Sequence, residues 1–123
     1  MFKTILIIDD DRTNLKIIES RLKQEEYNVF TATNGEEALA VMRGMRPDAI
    51  LLDVEMPEMN GYNFLVEMRK NPAHRKIPVI VQTVHKDMQP AFERQGVRDY
   101  IIKPLRVNDL VEKLRQCFSE DAS

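Results

Sequence analysis

The sequence is poor in cysteine, tryptophan and glycine: it has one, none and four of them in 123 residues. The single cysteine, Cys117, excludes an internal disulfide framework and any cysteine pair with metal-binding spacing. It also favours a reducing compartment. The chain lacks an apolar run near the roughly 20 residues of a membrane span, and no signal-peptide pattern follows Met1. We therefore expect a cytoplasmic protein with no membrane contact.

The sequence also lacks a large excess of charge of either sign. The 18 lysines and arginines nearly balance 20 aspartates and glutamates, for a net charge of −2. Such a balance gives no sign of nucleic-acid binding by this chain. The length suits one domain, so we predict a single domain over residues 1–123, with a frayed polar tail at about 119–123.

Five short apolar runs are spread evenly along the chain, and most of them are continuous rather than alternating. This pattern is typical of strands that are covered on both faces, as in a parallel sheet. The runs are Ile5–Ile8, Val29–Ala32, Ala49–Leu52, Val79–Val81 and Tyr100–Ile102.

Helical stripes of apolar residues lie between and after these runs, at steps of three and four. Their ends carry residues with capping chemistry. Asn34 and Asn60 are predicted N-caps, and Gly44 and Gly96 are predicted to follow helix ends. With Asp87 as N-cap, the fourth helix would hold its proline, Pro90, in its first turn, where proline is tolerated.

Strict alternation of strand and helix predicts an α/β fold, a doubly wound (βα)5 parallel sheet with helices on both faces. We adopt the flavodoxin-like strand order 2-1-3-4-5 from known five-stranded sheets of this class. Ligands of such sheets bind at the carboxyl ends of the strands, in the crevice where the order reverses.

Polar residues follow the apolar runs at this predicted edge. Asp9 and Asp10 follow the first run, Asp53 the third, Thr83 the fourth and Lys103 the fifth. Carboxylates that share a crevice repel unless a cation neutralises them, and oxygen ligands favour Mg²⁺. A carboxylate can also form an acyl phosphate. The set therefore predicts phosphoryl transfer onto Asp53, with Lys103 and Thr83 binding phosphoryl oxygens.

From about Lys3 to Phe118 the chain resembles a response-regulator receiver domain of two-component signalling, similar to chemotaxis regulators. The segments that carry the resemblance are Ile7–Asp10, Leu51–Gly61, Val81–Thr83 and Tyr100–Pro104. The resemblance implies that Asp53 is the phosphoacceptor. It also implies that Asp10 and Asp53 bind Mg²⁺ directly, with the backbone carbonyl of Glu55, and that Asp9 binds through water.

The resemblance further implies a switch. Thr83 would move toward the phosphoryl group that Lys103 contacts. Tyr100 would swing inward and relay the change to the face of helix four, strand five and helix five. The Lys103–Pro104 bond is expected to be cis. Val84 departs from the small residue usual at its position and could narrow access to the phosphoryl group.

Simpler interpretations remain open for some of these residues. Asp11 is expected to cap the first helix rather than bind metal, and Cys117 to be an inert packing residue. Tyr100 could be a static core aromatic residue. Glu55 and His85 occupy positions that influence phosphate lifetime in this family, in a direction that we do not assign.

Three functions compete. The first is a signalling switch, not an enzyme beyond its own phosphorylation and slow dephosphorylation. The second is an aspartyl-phosphate phosphatase of haloacid-dehalogenase type, although in that class the nucleophile usually ends the first strand. The third is a receiver-like interaction module that uses no phosphate.

The switch would take its phosphoryl group from a sensor histidine kinase or a phosphotransfer protein. Its output would be an unknown protein target or an output domain outside this chain. We expect a monomer or a phosphorylation-dependent dimer. The candidate docking or dimer surface is the face of helix four, strand five and helix five, with charges from Arg98, Asp99, Asp109 and Lys113.

Overall fold

The computed structural model describes residues 2–53, 61–104 and 106–121. Within them five strands alternate with five helices, and a short 3₁₀ helix over Pro72–His74 precedes the fourth strand. The strands are β1 (Thr4–Ile8), β2 (Asn28–Ala32), β3 (Ala49–Asp53), β4 (Val79–Thr83) and β5 (Asp99–Ile102). The helices are α1 (Arg12–Gln24), α2 (Gly35–Gly44), α3 (Gly61–Arg69), α4 (Gln89–Arg94) and α5 (Val107–Asp121).

All paired strands are parallel, and their order is β2-β1-β3-β4-β5. The predicted fold class and strand order are therefore confirmed. The chain enters β1 near the middle of the sheet, adds β2 on one side and then continues with β3 on the other. This reversal makes β1 and β3 neighbours, and their carboxyl ends face one crevice.

Each face of the sheet has its own apolar core. On one face, α1 and α5 cover the odd-numbered residues of β1 and β3, such as Ile7 and Leu51. On the other, α2, α3 and α4 cover the even-numbered residues, such as Ile8 and Leu52. Burial on both faces explains why β1 and β3 read as continuous apolar runs, because neither has a face in water.

Two caps follow the predictions. Asn34 accepts a hydrogen bond from the Glu37 N–H at 2.8 Å, and the Glu37 side chain accepts one from the Thr33 N–H at 3.1 Å. Gly96 follows the end of α4 with φ at +78°, a conformation that favours glycine. The predicted N-cap Asn60 lies outside the described residues.

Two other predicted ends are wrong. Gly44 is the last residue of α2, and the extended Met45 ends that helix. Helix α4 begins after Met88, because Asp87 lies in a turn closed by the Gln89 N–H and the Lys86 carbonyl at 3.3 Å. Pro90 does lie in the first turn of α4. None of the described helices has the length and apolarity to cross a membrane.

Candidate functional site

The acidic residues of the first and third strands meet at the sheet edge. Asp9 directly follows β1, and Asp53 is the last residue of β3. Carboxylate oxygens of Asp9, Asp10 and Asp53 all lie within 4.8 Å of one another. Asp9 and Asp53 are buried, whereas Asp10 is exposed and gives the cluster an open side toward solvent.

The start of helix α1 holds Asp9 in place. Its Oδ1 accepts a hydrogen bond from the Asp11 N–H at 3.0 Å, and its Oδ2 accepts one from the Asn14 Nδ2 at 2.7 Å. Burial raises the pKa of Asp9 above its usual value; these two hydrogen bonds oppose that rise, and the Asp53 charge adds to it. A bound cation would favour the charged carboxylate, because opposite charges lower a carboxyl pKa.

Lys103 closes the other side of Asp53. Its Nζ lies 3.0 Å from the Asp53 Oδ2, and the Lys103 side chain is 25% exposed against 3% for Asp53. Lys103 directly follows β5, so its side chain crosses β4 to reach β3. The peptide bond between Lys103 and Pro104 is cis, as the resemblance implied.

Thr83 and Tyr100 both bind the backbone of His85. The hydroxyl oxygen of Thr83, the buried last residue of β4, accepts a hydrogen bond from the His85 N–H at 3.2 Å. The Tyr100 hydroxyl donates to the His85 carbonyl at 2.6 Å. The Tyr100 ring packs on Phe92 of α4, with 5.8 Å between ring centroids. The loop after β4 is thus tied to the sheet edge and to β5.

The remaining predicted residues differ in their placement. Asp11 caps α1, since its side chain accepts hydrogen bonds from the N–H groups of Thr13 and Asn14. Val84 is 54% exposed. Glu55, with its predicted carbonyl ligand, lies outside the described residues, whereas Cys117 is buried among the described ones.

An ion pair lies on the predicted docking face. The Lys113 ammonium group of α5 lies 2.9 Å from the Asp99 carboxylate of β5, and both side chains are 34% exposed. Arg98 and Asp109 are exposed nearby along the chain. A pair with this much solvent exposure contributes little to stability.

Sequence reasoning missed two residues of the site. Asn14 binds the Asp9 carboxylate, and its position one turn into the helix after Asp9 could have indicated this contact. Gln82 is fully buried beside Asp53 in the sheet register, where the preceding β4 residues are apolar. The sequence signal for Gln82 was a single amide side chain at the end of an apolar run.

The donor set fits a hard divalent cation. Three carboxylates supply only oxygen atoms, and Mg²⁺ is commonly held by one or two carboxylates together with phosphate oxygens and water. Among the described residues, no histidine or cysteine joins this cluster. Of the three carboxylates, that of Asp10 is the exposed one.

Comparison with known proteins identifies the family. A model of the response regulator receiver domain matches residues 5–115. The probable transcriptional regulator ycf27 of Cyanophora paradoxa is 36% identical over 115 residues, which are 92% of this chain and 47% of that protein. The chain therefore spans about half the length of this relative.

Solved structures agree as well. A receiver domain protein (CheY-like) from Methanospirillum hungatei has a TM-score of 0.89 and 29% identity, covering 98% of this chain and 96% of its own. Response regulator TrrA from Thermotoga maritima, solved in complex with Mg(2+)-BeF, has a TM-score of 0.82 and 29% identity, covering 94% and 98%. These findings confirm the resemblance seen in the sequence, and this chain belongs to the response regulator receiver domain family.

Proposed function

We propose that this receiver domain accepts a phosphoryl group onto Asp53, with Mg²⁺ at the carboxylate cluster, and that the modification switches its surface. The donor would be a sensor histidine kinase or a phosphotransfer protein. The observation that carries the proposal is the placement of the buried Asp53 carboxylate between two other carboxylates and the Lys103 ammonium group. Receiver domains as a family act as switches in two-component signalling, which is consistent with this chemistry.

The transfer step is a displacement at phosphorus. An Asp53 carboxylate oxygen attacks the phosphorus of a phosphohistidine, a P–O bond forms, and the P–N bond breaks with its electron pair returning to the imidazole nitrogen. Loss of the group is the attack of water on phosphorus, which releases inorganic phosphate and restores the carboxylate. The domain would catalyse only its own modification and its slow reversal.

Different residues around Asp53 would bind Mg²⁺ and the phosphoryl group. When bound, Mg²⁺ supplies positive charge that offsets repulsion between the carboxylates and the incoming phosphoryl oxygens. Asp10 and Asp53 would bind it directly, with the carbonyl of Glu55, and Asp9 through water. Lys103 would transfer its contact from the Asp53 carboxylate to a phosphoryl oxygen, where its charge stabilises the transition state.

The switch would act through His85. Movement of the Thr83 hydroxyl toward a phosphoryl oxygen breaks or lengthens its bond to the His85 N–H, while Tyr100 holds the carbonyl of the same residue. The loop and Tyr100 would then move together. Because Tyr100 packs on Phe92 of α4, the change would reach the face of α4, β5 and α5.

The output would lie outside the described site. The chain spans 47% of the ycf27 relative, whose name describes a probable transcriptional regulator. We propose that the response passes to an output domain or to a separate protein that docks on the α4, β5 and α5 face. A phosphorylation-dependent dimer through the same face is the other arrangement consistent with this surface.

Intact mass measurement after incubation with acetyl phosphate tests the proposal. Wild type should gain one phosphoryl group only with Mg²⁺, Asp53→Asn should gain none, and Asp11→Asn should behave as wild type. Asp11→Asn is the matched control because it removes a neighbouring carboxylate that caps a helix. Labelling that persists in Asp53→Asn would refute Asp53 as the acceptor.

Two further measurements, phosphate release from a small phosphomonoester and Mg²⁺ binding, separate the other functions. Steady release of inorganic phosphate from a small phosphomonoester would indicate a phosphatase of the haloacid-dehalogenase type. Failure of wild type both to label and to bind Mg²⁺ would indicate an interaction module that uses no phosphate.

A further inference from the structure

A buried amide lies beside the phosphoacceptor. The Gln82 side chain is 0% exposed, and neither its Oε1 nor its Nε2 has a hydrogen-bond partner among the residues that the structure describes. Leaving a buried polar group unpaired costs about 1–3 kcal/mol. The Gln82 amide lies beside a reactive carboxylate and has no partner within the described part of the chain in this state. We therefore expect these orphaned atoms to gain hydrogen-bond partners in another state of the site.

The sheet register fixes where this amide lies. Gln82 on β4 is paired with Asp53 on β3. Two residues earlier, Ile80 and Leu51 pack in the same apolar core beneath α1 and α5. Since side chains alternate along a strand, Gln82 and Asp53 also share that face. Neighbouring strands are about 4.8 Å apart, so the amide is the direct lateral neighbour of the Asp53 carboxylate.

The ion pair between Lys103 and Asp53 passes over the same residue. Lys103 follows Ile101 by two positions and is on its face of the sheet, and Ile101 is paired with Gln82. Strand β4 lies between β5 and β3. The Lys103 side chain must therefore cross β4 at the level of Gln82 to place its Nζ 3.0 Å from the Asp53 Oδ2.

We propose that Gln82 is a positioning residue for Lys103 in the phosphorylated state, an inference that rests on the proposed function. When the ammonium group moves from the Asp53 Oδ2 to a phosphoryl oxygen, one of its N–H groups donates to the Gln82 Oε1. The Gln82 Nε2 then donates to the Asp53 oxygen that Lys103 has left. Both orphaned atoms gain partners.

This exchange of partners would bias the switch. The unphosphorylated state leaves the amide unpaired, and the phosphorylated state pairs it, so the two states differ in free energy by the hydrogen bonds gained. A difference of this kind is what moves a two-state equilibrium. Fixing one N–H of the ammonium group also directs its other N–H groups toward the phosphoryl oxygens.

The test compares Gln82→Met with wild type in two measurements. The first is the melting temperature of the unphosphorylated protein, and the second is the affinity for beryllofluoride with Mg²⁺. Methionine keeps the unbranched shape and removes both orphaned atoms. The matched control is Ile80→Met, which changes packing on the same strand and face. Gln82→Leu serves as a second apolar variant should Gln82→Met fold poorly.

We expect Gln82→Met to melt a few degrees higher than wild type and to bind beryllofluoride about tenfold more weakly, the loss of roughly one hydrogen bond. Ile80→Met should keep wild-type affinity. A higher melting temperature with unchanged affinity would overturn the inference, because the amide would then be only a tolerated defect. A lower melting temperature in both Gln82→Met and Gln82→Leu would also overturn it, since the amide would already be paired.

The wild-type arm separates this inference from the proposed function. If wild type neither binds beryllofluoride nor labels at Asp53, the proposed function fails and the role of Gln82 fails with it. If wild type does both and Gln82→Met matches it in affinity, only the role of Gln82 fails.

Discussion

The Lys103 ammonium nitrogen lies 3.0 Å from the Asp53 Oδ2, although 50 positions separate the two residues in the sequence. The contact spans three strands, from the end of β5 over β4 to the end of β3. It places a cation against a carboxylate that has almost no contact with solvent. The ion pair places the Lys103 ammonium group beside the proposed phosphoacceptor.

Replacing Lys103 with methionine should therefore affect both reactivity and stability. We expect Lys103→Met to slow labelling by acetyl phosphate about a hundredfold, the usual effect of losing one strong transition-state contact. It should also lower the free energy of unfolding by about 1–3 kcal/mol, because the Asp53 carboxylate loses a charged hydrogen bond. Labelling kinetics by intact mass and urea unfolding measure the two effects.

Lys113→Met is the control for this prediction. It breaks the half-buried ion pair with Asp99 at the other end of β5, so it should change stability by less than about 1 kcal/mol. Its labelling rate should match wild type. Equal labelling by Lys103→Met and Lys113→Met would contradict a role for Lys103 at the phosphoryl group.

Mg²⁺ should stabilise the fold through the carboxylate cluster. A ligand present at about 100 times its dissociation constant adds about 2.7 kcal/mol, which for a domain of this size raises the melting temperature by roughly 10 °C. Asp10→Asn should lose most of this shift, because it removes a proposed direct ligand. Asp11→Asn should keep it. A full shift in Asp10→Asn, measured by circular dichroism, would place the cation elsewhere.

Replacing Asp11 should change the free energy of unfolding and leave Mg²⁺-dependent phosphoryl labelling unchanged. Its carboxylate accepts hydrogen bonds from two N–H groups at the start of α1. Asp11→Ala should lower the free energy of unfolding by about 1 kcal/mol, whereas Asp11→Asn, which keeps a capping oxygen, should be nearly neutral. Urea unfolding of both variants tests this. A loss of Mg²⁺-dependent labelling in Asp11→Ala would instead support a metal role.

The sequence predicts the parts of this molecule that follow from local pattern. The central strands were predicted because burial on both faces leaves continuous apolar runs, as in Ile5–Ile8 and Ala49–Leu52. The edge strand β2 was predicted over Val29–Ala32, one residue short of its start at Asn28, although only its last residue, Ala32, is buried. The site residues could be grouped because parallel strands bring their carboxyl ends to one edge.

Contacts that depend on tertiary placement could not be predicted. Arg69, at the end of α3, donates to the carbonyls of Arg75 at 2.6 Å and Ile77 at 3.0 Å, although nothing in the local sequence marks it. The start of α4 was placed too early because Asp87 has the chemistry of a cap, but the chain forms a turn there first. The orphaned amide of Gln82 appears only once β3, β4 and β5 are aligned.

The last prediction concerns Tyr100 at high pH. Burial raises the pKa of Tyr100 above its usual value of about 10, and the nearby negative charge of Asp87 adds to the rise. The folded state therefore holds the phenol proton more tightly than the unfolded state does. The stability that this proton contributes is present below about pH 10 and is lost as the pH rises through the folded-state pKa.

Tyr100→Phe should remove this dependence. At pH 7 it should lower the free energy of unfolding by about 0.5–1.5 kcal/mol, because the hydrogen bond to the His85 carbonyl is lost. Above about pH 10 its stability should fall less steeply than that of wild type. Urea unfolding between neutral and alkaline pH measures both effects.

Tyr27→Phe is the control, since burial also raises the pKa of Tyr27 but its hydroxyl lies far from the switch residues in sequence. If Tyr100→Phe and wild type lose stability in parallel while Tyr27→Phe does not, the phenol of Tyr100 is not held as described, and its contact with His85 cannot couple the loop to β5.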